Sequence, residues 1–270
     1  MNIIITSYVE LPDMQLIFKD EFYFDIFLKS LKDCNYDGKF IVITNLKQDE
    51  IDENIIELFP SETIFFDYPF EIKNIHTYWD DKFPSFVEAI RSIDISVTDT
   101  IFYCDAKDVF FQDLDFLNSF PSDETWVSAE DEKIKNSKWF QKVSTDYFTK
   151  EEYEKIKKID KYNFNTGIFL TNIIHLNELS DNMYKLRPIG KNHSSDQVLM
   201  NKLYYVNNLF QWLNILEPHN IFFNSINSHN NSWVKEDGKI YNIINGVKKY
   251  TSVIHQWDRR TNLKEIITEI

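Results

Sequence analysis

Three carboxylates, one histidine and a short run of amides stand where this sequence could do chemistry. Asp105 and Asp108 flank Ala106 and Lys107, directly after the apolar run Thr100-Ile101-Phe102-Tyr103-Cys104. Carboxylates this close repel one another unless a cation or a hydrogen-bond donor lies between them. Their hard oxygens suit Mg²⁺ or Mn²⁺, although an exposed acidic turn gives the same pattern. Far along the chain, His255 ends the run Ser252-Val253-Ile254 and precedes Gln256, Trp257, Asp258 and Arg259. Its imidazole suits a metal already held by carboxylates, with Arg259 or Arg260 near for an anion; a packed, hydrogen-bonded histidine beside a tryptophan is the alternative. Asp196-Gln197 follow His193-Ser194-Ser195, either as a carboxylate at the favourable end of a helix dipole or as a polar pair facing a substrate hydroxyl. Asn165-Thr166-Gly167 interrupt an apolar run, where a glycine marks a bulge or lets a ligand approach the backbone.

The elements that must position these groups alternate. Asn2 to Thr6 is a β-branched run of the kind that forms a buried strand, and Phe24, Phe27, Leu28 and Leu31 then recur at helical spacing. Asp37-Gly38 marks a turn before the strand Phe40–Thr44, Ile51 to Phe59 reads as a helix ending at Pro60, and Thr63 to Phe66 is apolar again. A helix is expected from about Pro84 to Ile93, then the strand Thr100–Cys104. Strands alternating with helices imply a mostly parallel α/β sheet, with ligands at the carboxyl ends of its strands. The second half is less regular. Glu130 to Tyr162 is rich in Lys and Glu with interleaved aromatics, and reads as surface helices or a mobile flap. Phe164–Leu170 reads as a strand, Ser195–Tyr205 as a helix, and Asp237-Gly238 as a hairpin turn. Neither an internal repeat nor a linker-like segment divides the 270 residues, so one domain is expected over 1–270, with an elaborated second half.

Composition excludes several classes. With 43% hydrophobic, 27% charged and 16% aromatic residues, the chain is that of an ordered globular protein. A net charge of −14 opposes binding to a nucleic-acid backbone. Two cysteines, Cys34 and Cys104, in dissimilar contexts make neither a disulfide framework nor a paired-cysteine metal site. No stretch approaches the roughly 20 apolar residues of a membrane span, and the N-terminus carries no basic leader. The expectation is a cytoplasmic protein, at most peripheral to a membrane. Only 5 glycines are present, and Thr6-Ser7-Tyr8-Val9-Glu10 after the first strand is no glycine loop, so any phosphate must be held in another way.

Taken in order, these pieces resemble the GT-A class of nucleotide-sugar glycosyltransferases, and glycosyltransferase family 8 and its neighbours in particular. Ile101 to Val109 looks like the strand leading to that family's DxD motif, with one extra residue between the acids. Phe164 to Asn172 is similar to its FN(A/T)G strand, Asp196-Gln197 through Asn201 to its DQ helix, and Ile254-His255 stands at its C-terminal metal-binding histidine. The resemblance implies a Rossmann-like sheet with 1–112 as its nucleotide-binding half and 113–270 as its sugar and acceptor half, Mn²⁺ or Mg²⁺ held by Asp105, Asp108 and His255, and a UDP-sugar donor whose ribose Asp105 also contacts. It implies that Thr6 and Tyr8 hold the nucleotide base, that Asn165 and Gly167 line the sugar side, and that Asp196 and Gln197 are the catalytic pair near the sugar hydroxyls or anomeric carbon. Arg91, Arg259 and Lys82 are the candidates for the cation that holds the pyrophosphate. The reaction implied is hexose transfer to a glycan or glycolipid hydroxyl, with retention, in polysaccharide biosynthesis. Rival readings are a non-catalytic nucleotide-sugar or carbohydrate binding module and a sugar-nucleotide pyrophosphorylase; the latter is expected to carry a glycine-rich basic loop after the first strand.

Overall fold

A computed structural model of the chain describes residues 1–10, 21–73, 75–121, 123–186, 196–226 and 232–269. The first half alternates as its periodicity requires: β1 (Asn2–Ser7), α1 (Glu21–Asp33), β2 (Lys39–Thr44), α2 (Glu53–Ile56), β3 (Thr63–Asp67), α3 (Ile75–Arg91), β4 (Thr100–Cys104) and β5 (Val109–Phe111). It continues through α4 (Asp115–Ser119), β6 (Thr125–Lys133), α5 (Lys138–Ser144), α6 (Lys150–Ile156), β7 (Tyr162–Thr171), α7 (Ile173–Leu186) and α8 (Asp196–Tyr205). The last part is mostly strand: β8 (Leu213–Leu216), β9 (Phe223–Ser225), β10 (Ser232–Glu236), β11 (Lys239–Ile244), β12 (Val247–Tyr250), β13 (Val253–His255), then α9 (Thr261–Thr268).

Ten strands form one sheet in the order β3-β2-β1-β4-β7-β6-β9-β13-β5, with β8 beside β6. The pairs among β3, β2, β1 and β4 are parallel, and β7 is antiparallel to both β4 and β6. The sheet therefore runs through the expected division at residue 112, since β4 pairs with β7 and β5 with β13. Helices cover both faces, which is why β1 is apolar without alternation. Ile3 and Ile5 join one core cluster with α3, while Ile4 joins another with Phe24, Phe27, Leu28 and Leu31 of α1.

Three expected elements differ in extent. Helix α3 begins at Ile75, well before the expected start at Pro84, and ends at Arg91; burial of Phe83, Phe86, Val87 and Ile90 against the sheet outweighs the break a proline introduces. The helix expected over Ile51–Phe59 is only the four-residue α2, which starts late because Asp52 caps it by accepting from the Asn54 N–H at 2.8 Å. The stretch Glu130–Tyr162 opens inside β6 and then forms α5 and α6. Phe140, Tyr147, Phe148 and Ile156 bind it into the core, so it is no detached flap. The helix expected to start at Ser195 is seen from Asp196; His193, Ser194 and Ser195 lie outside the described residues.

Asp237-Gly238 is a hairpin turn as expected, with φ of 51° and 75°, and Asn245-Gly246 repeats it with 51° and 77°. The two turns build the separate antiparallel sheet β10-β11-β12, because consecutive positive-φ residues match the twist of the strands they join. No helix among the described residues is long and apolar enough to cross a membrane.

Candidate metal and ligand site

Strand register assembles the site. Asp105 follows β4, and its N–H donates to the Gly167 carbonyl of β7 at 2.7 Å. Asp108 precedes β5, and antiparallel pairing of β5 with β13 sets His255 opposite Val109. The Gln256 N–H then donates to the Asp108 carbonyl at 2.6 Å, with Gln256 in the left-handed region at φ 64°. His255 Nε2 consequently lies 3.3 Å from Asp108 Oδ1 and 3.9 Å from Asp105 Oδ2. Its Nδ1 lies 3.3 Å from the Ser225 hydroxyl of β9, which orients the ring.

One donor atom from each of Asp105, Asp108 and His255 falls within 4.8 Å of the others, a hard oxygen-rich set with one imidazole that fits a divalent cation such as Mn²⁺ or Mg²⁺. Gly167 keeps the space clear. A Cβ there would lie 2.5 Å from His255 Nε2 and 2.6 Å from Asp105 Oδ2. The glycine belongs to a bulge as well. From Phe164 to Phe169, β7 spends more residues than β6 does from Ala129 to Val127, although its pairing with β4 stays regular; a bulge re-aims side chains in this way beside a site.

The cluster opens into a cavity of about 690 Å³ lined also by Trp79, Lys82, Glu130, Trp139, Asn165, Asp196, Gln197 and Arg259. Lys82, from the middle of α3, is 4% exposed. Its ammonium stands 3.2 Å from Asp105 Oδ1, 3.0 Å from Asp196 Oδ2 and 4.7 Å from the Tyr103 ring centre. Burial favours its neutral form, but the two carboxylates outweigh burial and raise its pKa. Burial, with the Asp108 charge beside it, pushes Asp105 above the usual carboxylate range against Lys82. Asp108 lies below that range, because His255, with Arg259 and Lys107, overcomes its burial.

Glu130 was not foreseen. It is 4% exposed on β6 and accepts from Asn163 Nδ2 at 2.8 Å, Asn165 Nδ2 at 2.9 Å and Gln197 Nε2 at 3.0 Å. Burial pushes its carboxyl up despite those donors. The signal was a glutamate continuing the apolar run from Trp126, masked by the charged stretch it opens. Asn201 fixes α8 against β7, donating to the Phe164 and Gln197 carbonyls at 3.0 and 2.8 Å.

Asp105, Asp108, Asn165, Gly167, Asp196, Gln197, His255 and Arg259 thus meet at one cavity, and so does Lys82. Three expected contributors do not. Arg91 is exposed in the last turn of α3, bonded to Glu88 at 3.1 Å and Asn177 at 3.0 Å. Thr6 is fully buried, its hydroxyl donating to the Cys104 carbonyl at 2.7 Å, so the central strands have used the group expected to hold a base. Tyr8 lies outside the cavity lining and stacks one face on Phe24, with ring centres 4.4 Å apart.

No protein-family model matches the chain, and no curated protein matches it at a significant level.

Proposed function

We propose that this chain is a metal-dependent glycosyltransferase of the GT-A type, moving a hexose from a nucleotide-diphosphate sugar, UDP-sugar first, to a hydroxyl of a glycan or glycolipid. The observation that carries the reading is the Asp105, Asp108 and His255 cluster at the carboxyl edge of the parallel strands, cleared by Gly167 and open to a large cavity. The strand order and the sequence resemblance both support it.

Asp105, Asp108 and His255 would hold the cation. Bound there, a divalent ion supplies Lewis-acid stabilisation of the charge that develops on a departing diphosphate. Arg259 lines the same cavity and adds a cation at its exposed rim. Lys82 keeps a positive charge fixed beside Asp105 while its carbon stem stays buried. Asp196 is tied to that ammonium at 3.0 Å, so its carboxylate is already engaged within the protein and is placed to position groups more than to take a proton from an acceptor. Transfer with retention, which needs no strong base, therefore suits the site better than inversion. Trp79 and Trp139 line the cavity wall, where aromatic side chains suit an acceptor sugar.

The test is calorimetric titration of UDP, with GDP as control, with and without Mn²⁺, followed by a UDP-sugar hydrolysis screen. Mn²⁺-dependent UDP binding with turnover is the expected result. Binding without turnover of any donor would favour a binding module, and absence of nucleotide binding would remove the reading.

A further inference from the structure

Four carboxylates line the cavity: Lys82 stands beside Asp105 and Asp196, and His255 beside Asp108, whereas Glu130 has no Lys, Arg or His within ion-pair distance among the described residues. Three side-chain amides surround it instead: Asn163 on Oε2, and Asn165 and Gln197 on Oε1. An ionised carboxylate only accepts hydrogen bonds, so each amide must turn its NH₂ toward Glu130 and its carbonyl oxygen away. The oxygens show the consequence. Asn165 Oδ1 accepts from the Gly167 N–H at 2.6 Å, Gln197 Oε1 takes a bond of 3.4 Å from Asn165, and Asn163 Oδ1 has no partner among the described residues.

We propose that Glu130 is a positioning residue: its carboxylate fixes the amides of Gln197 and Asn165 so that Gln197 offers the cavity its carbonyl oxygen and not its NH₂. The inference rests on the glycosyl-transfer reading for its use, though not for its geometry. A carbonyl oxygen is the negative end of the amide dipole and retains a free lone pair here. It favours a sugar hydroxyl donor, or the positive charge that grows at an anomeric carbon as the diphosphate departs. A flipped Gln197 would present two N–H donors to the same place and oppose that charge. Both oxygens of Glu130 are engaged by these amides, so its part at the cavity is to hold them. Its position follows from the fold: β6 carries Glu130, the bulged β7 carries Asn163 and Asn165, and the first turn of α8 carries Gln197.

The experiment compares wild type with Glu130→Gln and Glu130→Asp. Side-chain amide signals are read by ¹H–¹⁵N NMR, with the Gln197 pair identified through Gln197→Ala; UDP affinity with Mn²⁺ is read by calorimetry, and turnover with UDP-glucose and UDP-galactose. Glu130→Gln, which places an NH₂ where only an acceptor fits, is expected to move the Gln197 and Asn165 signals. It should leave UDP affinity and donor KM within about threefold while kcat falls by about 100-fold, the scale of a misplaced reacting group. Glu130→Asp keeps the charge and is expected to hold the amide signals near wild type and to recover at least part of kcat; it stands alone as the test if the glutamine variant does not fold. Unmoved amide signals in Glu130→Gln overturn the proposal, and so do moved signals with unchanged kcat, or an aspartate variant that behaves like the glutamine one. Parallel loss of UDP binding and turnover would make Glu130 a fold residue only. A wild type that neither binds UDP with Mn²⁺ nor turns over a donor fails the glycosyltransferase reading, and the amide signals then decide the positioning claim by themselves.

Discussion

Gly167 and His255 share a space that holds only one side chain. A Cβ on Gly167 would meet His255 Cε1 at 2.4 Å, closer than non-bonded atoms of a folded protein approach, and neither backbone can retreat, so the side chains would have to part. His255 is held by the ladders of β13 on both sides, and Gly167 by its carbonyl bond from the Asp105 N–H. The glycine is therefore a condition for the carboxylates and the imidazole to face a common point.

Gly167→Ala is expected to push His255 and Asp105 apart, lowering Mn²⁺ affinity by at least about 10-fold and fold stability by about 1–3 kcal/mol, the usual cost of overpacking. Calorimetry and thermal melting check both. An alanine variant that bound Mn²⁺ like wild type would remove the case for this metal centre.

Asp108→Ala and His255→Ala should each weaken Mn²⁺ binding by on the order of 100-fold, and the Mn²⁺-dependent part of UDP binding should disappear with it. Each single variant leaves two of the three ligands and the double variant leaves only Asp105, so the double variant is expected to bind Mn²⁺ more weakly than either single one. Wild-type Mn²⁺ affinity in either single variant would place the metal elsewhere.

Lys82→Met leaves Asp105 and Asp196 without their shared ammonium. Stripping one partner from a buried pair costs about 3–5 kcal/mol. The lower end is expected, because the Asp105 side chain is 36% exposed and water screens it. Denaturant unfolding measures the loss, and adding Mn²⁺ should restore part of it by neutralising Asp105. An unchanged midpoint would mean that the ion pair does not form in solution.

The raised carboxyl of Glu130 sets a pH dependence with a definite sign. A folded pKa above the unfolded one gives a stability contribution that is complete below the unfolded value, 4.5, and is lost as pH rises through the folded value. The stability of wild type relative to Glu130→Gln should thus fall as pH is raised from 4.5, and level off once Glu130 is fully ionised in both states. Melting temperatures of the two proteins across pH 4 to 8 would reveal it, and a difference that grew with pH would contradict the buried carboxylate. His255 is the nearby group whose charge acts in the opposite sense on Glu130.

Arg91→Ala serves as the control. An exposed arginine bonded to Glu88 and Asn177 is worth at most about 1 kcal/mol, so both stability and UDP affinity should stay near wild type. A large loss of UDP binding would return Arg91 to the site from which the fold separates it.

What the sequence determined by itself is local. The β-branched run at Ile3–Ile5, the helical spacing of Phe24 to Leu31 and the Asp237-Gly238 turn specify their elements through sterics and burial within a few residues. Asp105, Asp108, Asn165, Gly167, Asp196, Gln197 and His255 were legible as candidates because each sits at an element boundary or interrupts an apolar run. Their assembly was not. His255 reaches Asp108 only because β13 pairs with β5 in one register, and a slip by a single residue would turn it to the opposite face. Tertiary structure also decided among the cations. Lys82 and Arg91 lie on the same helix, and only the docking of α3 against the sheet sends one into the cavity and leaves the other in solvent. Thr6 and Glu130 show the same limit in opposite directions. Thr6 looked available, and the neighbouring strand took its hydroxyl; Glu130 looked like the start of a charged surface, and β7 and α8 enclosed it with three amides. Which polar groups remain free for chemistry depends on partners far away in the chain, and long-range pairing, which local spacing does not encode, supplies them.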